Sequence, residues 1–305
     1  MEEQYKVIRM KKKKNEKPKD PRYLRSYPGV ALDLFERRLP VITVPLKKGE
    51  DFAEVIFMGD FHVGSEGFSE KQLQYYLDWI KANPQVRVIL MGDLVEVGDL
   101  SGHLLSQQED FKKQIVRLVN LLRPIKHQIV CILEGNHEER YAREVKNAIE
   151  FSHYLALELG IANKVLKPGP QKGQVMVFKV GKEYYPCYAI HGSTSAIFNK
   201  GTQLKRMAFS TKLPLIIHAH THQIFHDHYI YRTVNQIGKE FWESVFEQHW
   251  LVSGCFVKYL GYAEQKSYPM SKIGAPIIRF FGHEQGMMIV TDVQFFYGIG
   301  KKKKR

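Results

Sequence analysis

The chain of 305 residues is long enough for one large catalytic domain or two ordinary ones. Its 44% hydrophobic, 25% charged and 12% aromatic residues lie near globular averages, which excludes a disordered, collagenous or disulfide-dense protein. The formal net charge is +13, and its distribution decides what it implies about partners.

The positive charge is concentrated at the two ends of the sequence. Residues 1–30 carry +6 and residues 301–305 carry +5, which leaves +2 for residues 31–300. Runs of like charge are usually solvated and flexible. We therefore expect a basic N-terminal arm (1–30), one folded domain (31–300) and a basic C-terminal tail (301–305). The arm and tail either keep the chain soluble or hold a polyanion through phosphate contacts.

Neither a membrane segment nor a disulfide framework is expected. The longest apolar runs fall far short of the roughly 20 residues that span a bilayer. The lysine-rich N-terminus lacks the apolar stretch of a secretory signal. Cys131, Cys187 and Cys255 are far apart and set in apolar stretches, as buried core cysteines are. These features predict no membrane attachment and a cytoplasmic location.

Short β-branched runs alternate with helical periodicity in the first half of the folded domain. Three such runs predict buried strands, each closely followed by glycine. Two intervening segments carry apolar residues at the three- and four-residue spacing of a helix. This alternation indicates a largely parallel sheet. The strands are expected at 53–58, 86–91 and 128–133, and the helices at 70–81 and 108–122.

The second half is mainly β. A long helical stretch is expected from about residue 138 to 159, and strand-like runs follow it. The sequence shows no linker between the halves, so we predict one α/β domain of two packed sheets. The later strands are expected at 175–180, 184–190, 215–219, 224–231, 249–252 and 287–293.

Polar residues stand at the ends of five of these strands. In a parallel sheet, ligands bind in the crevice beyond the carboxyl ends of the strands. We therefore expect these side chains to converge at one edge. They are Asp60 and His62, Asp93 and Glu96, then Asn136, His137 and Glu138, and in the second half His191 and the trio His218, His220 and His222.

Carboxylate together with imidazole favours a divalent first-row transition metal. Ca²⁺ prefers oxygen ligands alone, and a structural zinc site favours thiolates. Seven of these residues are candidate ligands, too many for one tetrahedral ion. Two ions that share a bridging carboxylate would use them all, an arrangement that clamps the attacking and leaving oxygens in phosphoryl transfer.

The order of the motifs resembles the calcineurin-like metallophosphoesterase superfamily. Asp-x-His, Gly-Asp-x-x-acid, Gly-Asn-His-acid, a lone His after a strand and His-x-His follow one another between residues 53 and 222. The resemblance implies a four-layer α-β-β-α sandwich of two mixed sheets flanked by helices. One departure is Ala219, where the family usually has glycine. The closing segment, with 258–264 and 268–269, is similar to phosphoesterases carried by phages and some archaea.

The resemblance also implies a role for each residue. Asp93 would bridge the two ions, His137 would be the catalytic histidine, and Glu96 falls where several members place an acid that orients it. The ions would be divalent, with manganese favoured and iron, zinc, nickel or magnesium as alternatives. One ion would take Asp60, His62 and His222, and the other Asn136, His191 and His220.

Other interpretations account for fewer of these residues. A single Asp or His after a strand is more often a cap or a core residue, but unrelated caps have no reason to follow the family order. Metallo-β-lactamases and amidohydrolases place His-x-His early in the chain. Gly64 and Gly67 lack the spacing of a dinucleotide-binding fingerprint. His218, His226, His228 and His249 have no family position and are expected to be structural or to face substrate.

The sequence around the motifs favours a phosphodiester substrate. Phosphoprotein phosphatases of the superfamily hold the phosphate dianion with two arginines, where this sequence has Glu134 and Val97. A diester carries only one negative charge. Together with the basic ends, this favours a phosphodiesterase that acts on DNA or RNA, similar in chemistry to nuclease subunits of double-strand-break repair. A small-nucleotide phosphodiesterase, a phosphomonoesterase and a binding module without turnover stay open, as does the oligomeric state.

Overall fold

The computed structural model describes residues 39–97, 110–144, 150–166, 173–192, 204–207, 211–237, 240–259, 270, 272–284 and 286–293. The predicted arm (1–30) and tail (301–305) lie outside the described residues, as do residues 260–269 and 271 of the closing segment. Among the helices described, none has the length and apolar character needed to cross a membrane.

From one edge to the other, the five strands of the first sheet are β11 (Met287–Val290), β10 (Ile277–Phe281), β2 (Phe52–Met58), β3 (Arg87–Leu90) and β4 (Ile129–Ile132). The strands β2, β3 and β4, the last at one edge, are parallel, as the alternating pattern predicted. β10, which the sequence analysis did not predict, runs antiparallel to β2, and β11 pairs with it. The sheet is therefore mixed.

From one edge to the other, the six strands of the second sheet are β1 (Val41–Thr43), β5 (Gly173–Val180), β6 (Glu183–Ile190), β7 (Leu215–His218), β9 (Glu240–Ser253) and β8 (Ile224–Ile237). The pairs β6–β7 and β7–β9 are parallel, and the pairs β5–β6 and β8–β9 are antiparallel. β8 and β9 have 14 residues each, longer than the predicted runs, and form a long hairpin.

The prediction of one helical stretch over 138–159 was wrong, because two helices lie there. α3 (Asn136–Glu144) ends before α4 (Phe151–Glu158) begins. The carboxylate of Glu134 accepts hydrogen bonds from the backbone N–H and the hydroxyl of Ser152, both at 3.0 Å, in the first turn of α4. This side chain satisfies an amide that would otherwise need a preceding helical turn. The other helices are α1 (Glu70–Ala82), α2 (Phe111–Leu122) and the 3₁₀ helix Arg123–Gln128.

Two large apolar cores hold the layers together. Between the sheets, Phe178 packs edge-to-face on Phe57 and stacks on Phe280, with ring centroids 6.1 and 5.4 Å apart. Outside the first sheet, Leu77 of α1 and Leu118 of α2 join a second core. The three cysteines are buried, as predicted. The fold is thus an α/β sandwich of two mixed sheets with flanking helices, as the resemblance implied.

Candidate metal centre

All nine predicted site residues lie in the described part of the chain, at the carboxyl ends of five parallel strands. β2, β3 and β4 deliver residues from the first sheet, and β6 and β7 deliver them from the second. The titratable side chains form clusters whose candidate ligand atoms lie within 4.8 Å of one another. The edge chosen from the strand pattern is therefore the place where these side chains meet.

The first group consists of Asp60, His62 and His222. Nε2 of His222 lies 3.2 Å from Oδ1 of Asp60 and 3.1 Å from Nε2 of His62. Asp60 and His62 are buried, and His222 is partly exposed. Two imidazole nitrogens and a carboxylate oxygen thus point at one another, a donor set that suits a divalent transition metal.

The second group consists of Asp93, His191 and His220, with Asn136 beside them. Nε2 of His191 lies 3.2 Å from Oδ2 of Asp93 and 3.2 Å from Oδ1 of Asn136. Nδ1 of His220 is buried and has no hydrogen-bond partner among the described residues. A buried ring nitrogen in that position fits a metal ligand better than a core residue. The donor atoms present therefore fit a second ion.

Asp93 contacts both groups. Its Oδ2 is 3.2 Å from Nε2 of His191 in the second group and 3.8 Å from Nε2 of His62 in the first. Its Oδ1 accepts a hydrogen bond of 2.9 Å from the backbone N–H of His137. This geometry is what a carboxylate shared by two ions requires.

Two of the candidate histidine ligands have an oxygen partner on their far ring nitrogen. Nδ1 of His62 donates to the carboxylate of Glu96 at 2.8 Å, and Nδ1 of His191 donates to the backbone oxygen of Met91 at 2.8 Å. A carbonyl or carboxylate oxygen in that place fixes the tautomer and turns Nε2 toward the ion. Both rings are therefore oriented for coordination through Nε2.

Glu96 has a different principal contact from the expected one. Its carboxylate holds His62, whereas its backbone oxygen accepts a hydrogen bond from Nδ1 of His137. The carboxylate still lies within 4.8 Å of a ring nitrogen of His137, and the rings of His62 and His137 meet edge-to-face at 4.6 Å. One residue thus positions both histidines, one through its side chain and one through its backbone.

Glu138 and Gln114 support the loops of the site through backbone hydrogen bonds. The buried carboxylate of Glu138 accepts from the backbone N–H groups of Asp93 (3.0 Å), Leu94 (2.6 Å), Val95 (3.3 Å) and Gly135 (2.8 Å). Gln114 of α2 accepts from the backbone N–H groups of Glu96 and Val97 at 3.1 and 3.3 Å. The Gly-Asn-His-acid motif placed Glu138 at this edge without assigning it a role, whereas Gln114 stands in an ordinary amphipathic helix and has no such signal.

Unusual backbone geometry is concentrated in the ligand loops. Six described non-glycine residues have positive φ, a conformation that costs on the order of 1–3 kcal/mol and is kept where surrounding contacts enforce it. Five of the six are predicted ligands. These are Asp60 (48°), His62 (50°), Asp93 (48°), His220 (69°) and His222 (54°), and the sixth is Val97 (38°).

Close approach of the β3 and β4 loops requires glycine at position 135. A Cβ placed on Gly135 would lie 2.0 Å from Oδ1 of Asp93. Ala219 is different, since it is absent from the described residues with positive φ and its N–H donates to the backbone oxygen of His191 at 3.1 Å. The departure from the family glycine at position 219 is therefore accommodated without backbone strain.

The site combines ionised carboxylates with imidazoles whose pKa values are shifted in opposite directions. Burial alone would raise the pKa of Asp93, but His191 and His137 hold this pKa well below its usual range. Burial lowers the pKa of His191, but the nearby carboxylates of Asp93, Asp60 and Glu138 together raise it to about 10. Burial and the nearby charge of His191 lower the pKa of His220 to about 4. Negative charge therefore persists at the centre of the cluster, as cation binding needs.

The additional histidines belong to neither ligand group. His218 is buried at the end of β7, where burial lowers its pKa to about 3, and a Cβ on Gly192 would lie 2.0 Å from its Nε2. His226 and His228 lie on β8 and His249 on β9, along the hairpin. Nε2 of His218 is buried and, like Nδ1 of His220, has no hydrogen-bond partner among the described residues.

Solved structures with similar folds include metallophosphoesterases. A predicted phosphoesterase from Streptococcus pneumoniae is 11% identical, with 80% of this chain and 91% of that chain covered and a TM-score of 0.34. Vps29 from Entamoeba histolytica in complex with zinc is 15% identical, with 77% and 96% covered and a TM-score of 0.37. A metallophosphoesterase from Sphaerobacter thermophilus is 13% identical, with 78% and 86% covered and a TM-score of 0.36.

A search of curated protein sequences finds no match. The family model for calcineurin-like phosphoesterases, in contrast, matches residues 53–224, which is more than half of the chain. The match begins in β2, the strand before Asp60 and His62, and ends just after His222, so it contains every residue of the two ligand groups. The chain therefore belongs to the calcineurin-like phosphoesterase family.

Proposed function

We propose that this chain is a two-metal phosphodiesterase that hydrolyses DNA or RNA. The observation that carries the proposal is the position of Asp93, whose Oδ2 lies 3.2 Å from His191 and 3.8 Å from His62, between the two groups of candidate ligands. Family membership supports a metal-dependent phosphoester hydrolase. The nature of the ions, the diester and its polymeric form belong to the proposal.

The residues present supply complete donor sets for two ions. Asp60, His62 and His222 would hold one, and Asn136, His191 and His220 the other, with Asp93 shared. When bound, the ions would activate water and offset the negative charge of the phosphate group. The mixed carboxylate and imidazole donor set suits a divalent transition metal better than Ca²⁺, and we propose Mn²⁺, with iron, zinc, nickel or magnesium as alternatives.

His137 is the residue we assign to proton transfer. Its Nδ1 donates to the backbone oxygen of Glu96, and because a carbonyl oxygen can only accept, that proton is committed. Nε2 is then the nitrogen that can exchange a proton with the substrate. In this role His137 would donate a proton to the oxygen of the leaving group as the phosphoester bond breaks.

The surroundings of the centre support a diester over a dianionic monoester. At the two positions where phosphoprotein phosphatases carry arginine, this chain has Glu134 and Val97. The Glu134 carboxylate is turned to α4, where it accepts two hydrogen bonds from Ser152, and Val97 is buried. These positions therefore add no cation to bind a second phosphate charge.

The two basic ends support a polymeric substrate. Residues 1–30 and 301–305 hold most of the net charge of +13, while the folded domain is nearly neutral. Lysine and arginine in such segments can contact phosphates without reading the sequence of bases. We propose that the arm and tail capture nucleic acid and leave the chemistry to the metal centre.

A substrate panel tests the proposed function. Metal-stripped full-length protein, reloaded with Mn²⁺, is assayed on duplex DNA, single-stranded DNA, RNA, a cyclic nucleotide, bis-p-nitrophenyl phosphate and p-nitrophenyl phosphate. We expect cleavage of nucleic acid and of the small diester to exceed that of the monoester, and Ca²⁺ to fail as a replacement. Preference for the cyclic nucleotide or the monoester would instead favour a small-nucleotide phosphodiesterase or a phosphomonoesterase.

Deletion of residues 1–30 and 301–305 tests the role of the basic ends. The apparent KM for long nucleic acid should rise, and its salt dependence should flatten by about 0.9 in the log–log slope for each lost contact to duplex DNA. Activity on bis-p-nitrophenyl phosphate, the control substrate, should hardly change because it is too small to reach the ends. An unchanged salt slope would reject capture by the arm and tail and favour the small-nucleotide alternative.

A further inference from the structure

Three histidines share one face of the long hairpin formed by β8 and β9. His228 lies directly opposite His249 in the strand register, and His226 is two residues before His228. Because side chains alternate along a strand, positions 226, 228 and 249 project from the same face. Leu251, on that same face, belongs to the core between the sheets. His226 and His249 are half-buried, whereas His228 is exposed.

The distances among the three rings are close to those of a metal site. Nε2 of His226 lies 3.2 Å from Nδ1 of His249, and the ring centroids of this pair are 5.5 Å apart. The centroid of His228 is 6.4 Å from that of His226 and 6.1 Å from that of His249. With zinc–nitrogen bonds of about 2.0–2.1 Å and tetrahedral angles, ligand nitrogens lie about 3.3 Å apart and ring centroids about 5 Å apart. His226 and His249 thus already have the spacing of two ligands, whereas the exposed His228 side chain must turn toward them to become the third.

A carboxylate stands behind one of the rings. Oε1 of Glu247 is 3.6 Å from Nε2 of His249, while Nδ1 of the same ring faces His226. In metal sites, a carboxylate on the far nitrogen of a histidine commonly orients the ring and raises its basicity as a ligand. Glu247 therefore has the place of an orienting partner.

The protonation state of the half-buried pair also suits coordination. Burial lowers the pKa of His226 and the pKa of His249. The charges facing the cluster are of both signs: Glu247 raises both pKa values and Asp227 raises that of His226, whereas the neighbouring imidazoles lower them. The net lowering favours the neutral imidazole, which is the form that binds metals.

We propose that His226, His228 and His249 bind a Zn²⁺ ion at a site separate from the centre around Asp93. The two sites share no residue, and the hairpin set is made of imidazoles alone, which suits zinc, copper or nickel better than manganese or magnesium. Such an ion links β8 to β9 through side chains and leaves one coordination position for water or another ligand. The proposal does not depend on the substrate of the Asp93 centre.

Zinc stoichiometry tests the site. The full-length protein is dialysed against Zn²⁺ and analysed by native mass spectrometry beside His228→Gln, His249→Gln and the control His127→Gln, an exposed histidine on the 3₁₀ helix. We expect each hairpin variant to bind one zinc ion fewer per chain than the unmodified protein, and His127→Gln to bind the same number. Mn²⁺-dependent hydrolysis of bis-p-nitrophenyl phosphate should be unchanged in His228→Gln. Equal zinc content in all four proteins would overturn the proposal.

The Asp93→Ala background separates the two sites. In that variant we expect one zinc ion to remain, and we expect it to disappear when His228→Gln is added. Because His228 is exposed, its replacement leaves the packing of the hairpin intact, so loss of the ion there cannot be assigned to unfolding. Retention of the same zinc content in Asp93→Ala with and without His228→Gln would show that His226 and His249 form only a hydrogen-bonded pair.

Discussion

The two sheets contribute to the metal centre in different ways. On the side of the first sheet, buried side chains fix the loops, with Glu138 accepting four backbone hydrogen bonds and Gln114 two. On the side of the second sheet, the loops meet the rest of the site through backbone groups and the candidate ligands themselves. For example, the N–H of His220 donates to Oδ2 of Asp60 at 3.2 Å.

This difference assigns separate tasks to the two halves of the site. The first sheet holds Asp93 and His62 in place through Glu138 and Glu96 before any ion binds. The second sheet completes the donor set with His191 and His220. We therefore expect substitution of the supporting residues of the first sheet to disturb both metal positions, because the shared carboxylate of Asp93 depends on them.

The largest effect is expected from Asp93→Ala. This change removes the carboxylate that contacts both ligand groups, so both ions should be lost and hydrolysis should fall to background. Metal analysis after dialysis against Mn²⁺ measures the loss. Retention of either ion at its original occupancy would show that Asp93 is not shared.

His137→Gln should keep both ions and lose rate. His137 contacts Asp93 through its backbone N–H, which the substitution retains, whereas its ring is the proposed proton donor. Proton transfer of this kind is typically worth about 10²–10⁴-fold. Single-turnover rates on bis-p-nitrophenyl phosphate, with metal content measured on the same sample, separate the two effects. A metal loss as large as that in Asp93→Ala would contradict the assigned role.

The position of the centre was predictable from sequence because it depends on strand ends. Short apolar runs ending at Asp60, Asp93 and Asn136 indicate parallel strands, and the carboxyl ends of parallel strands meet at one edge. The family order of the motifs then grouped the residues. No knowledge of side-chain packing was needed for either step.

Supporting contacts and long-range strand pairs could not be predicted in the same way. Gln114 reaches the Glu96 loop from α2, and its sequence neighbourhood shows only the periodicity of an amphipathic helix. β10 pairs with β2 across more than 200 residues, and a five-residue apolar run does not by itself reveal its partner. The hairpin was predicted too short because polar residues such as Arg232 on β8 and Glu247 on β9 interrupt its apolar pattern.

Glu138→Gln tests directly whether Glu138 holds the loop that carries Asp93. The amide retains one oxygen acceptor for the four backbone N–H groups, which the carboxylate holds with two oxygens, so the loop that carries Asp93 should be held less firmly. Outer partners of metal ligands typically contribute about 10–100-fold in metal affinity or activity. Mn²⁺ titration of this variant measures the change beside Glu158→Gln, which alters an exposed glutamate of α4. Equal Mn²⁺ affinity in the two variants would show that Glu138 does not stabilise the metal centre.

A smaller and graded effect is expected from pH. The pKa of His191 is raised to about 10 by Asp93 in the metal-free protein, so this histidine is protonated at neutral pH. Since a ligand nitrogen must be free of its proton, metal binding should release about one proton, and apparent affinity should rise by about tenfold per pH unit below that pKa. Calorimetry in buffers of different ionisation enthalpy counts the protons. Metal affinity that is independent of pH between 6 and 8 would contradict the role of His191.

The most direct test of the shared centre is anomalous diffraction from crystals of the full-length protein grown with Mn²⁺, with data collected at the manganese edge. We predict two peaks on either side of Asp93, one among Asp60, His62 and His222 and the other among Asn136, His191 and His220. A single peak at full occupancy, or peaks that leave Asp93 outside both coordination spheres, would contradict the two-metal account.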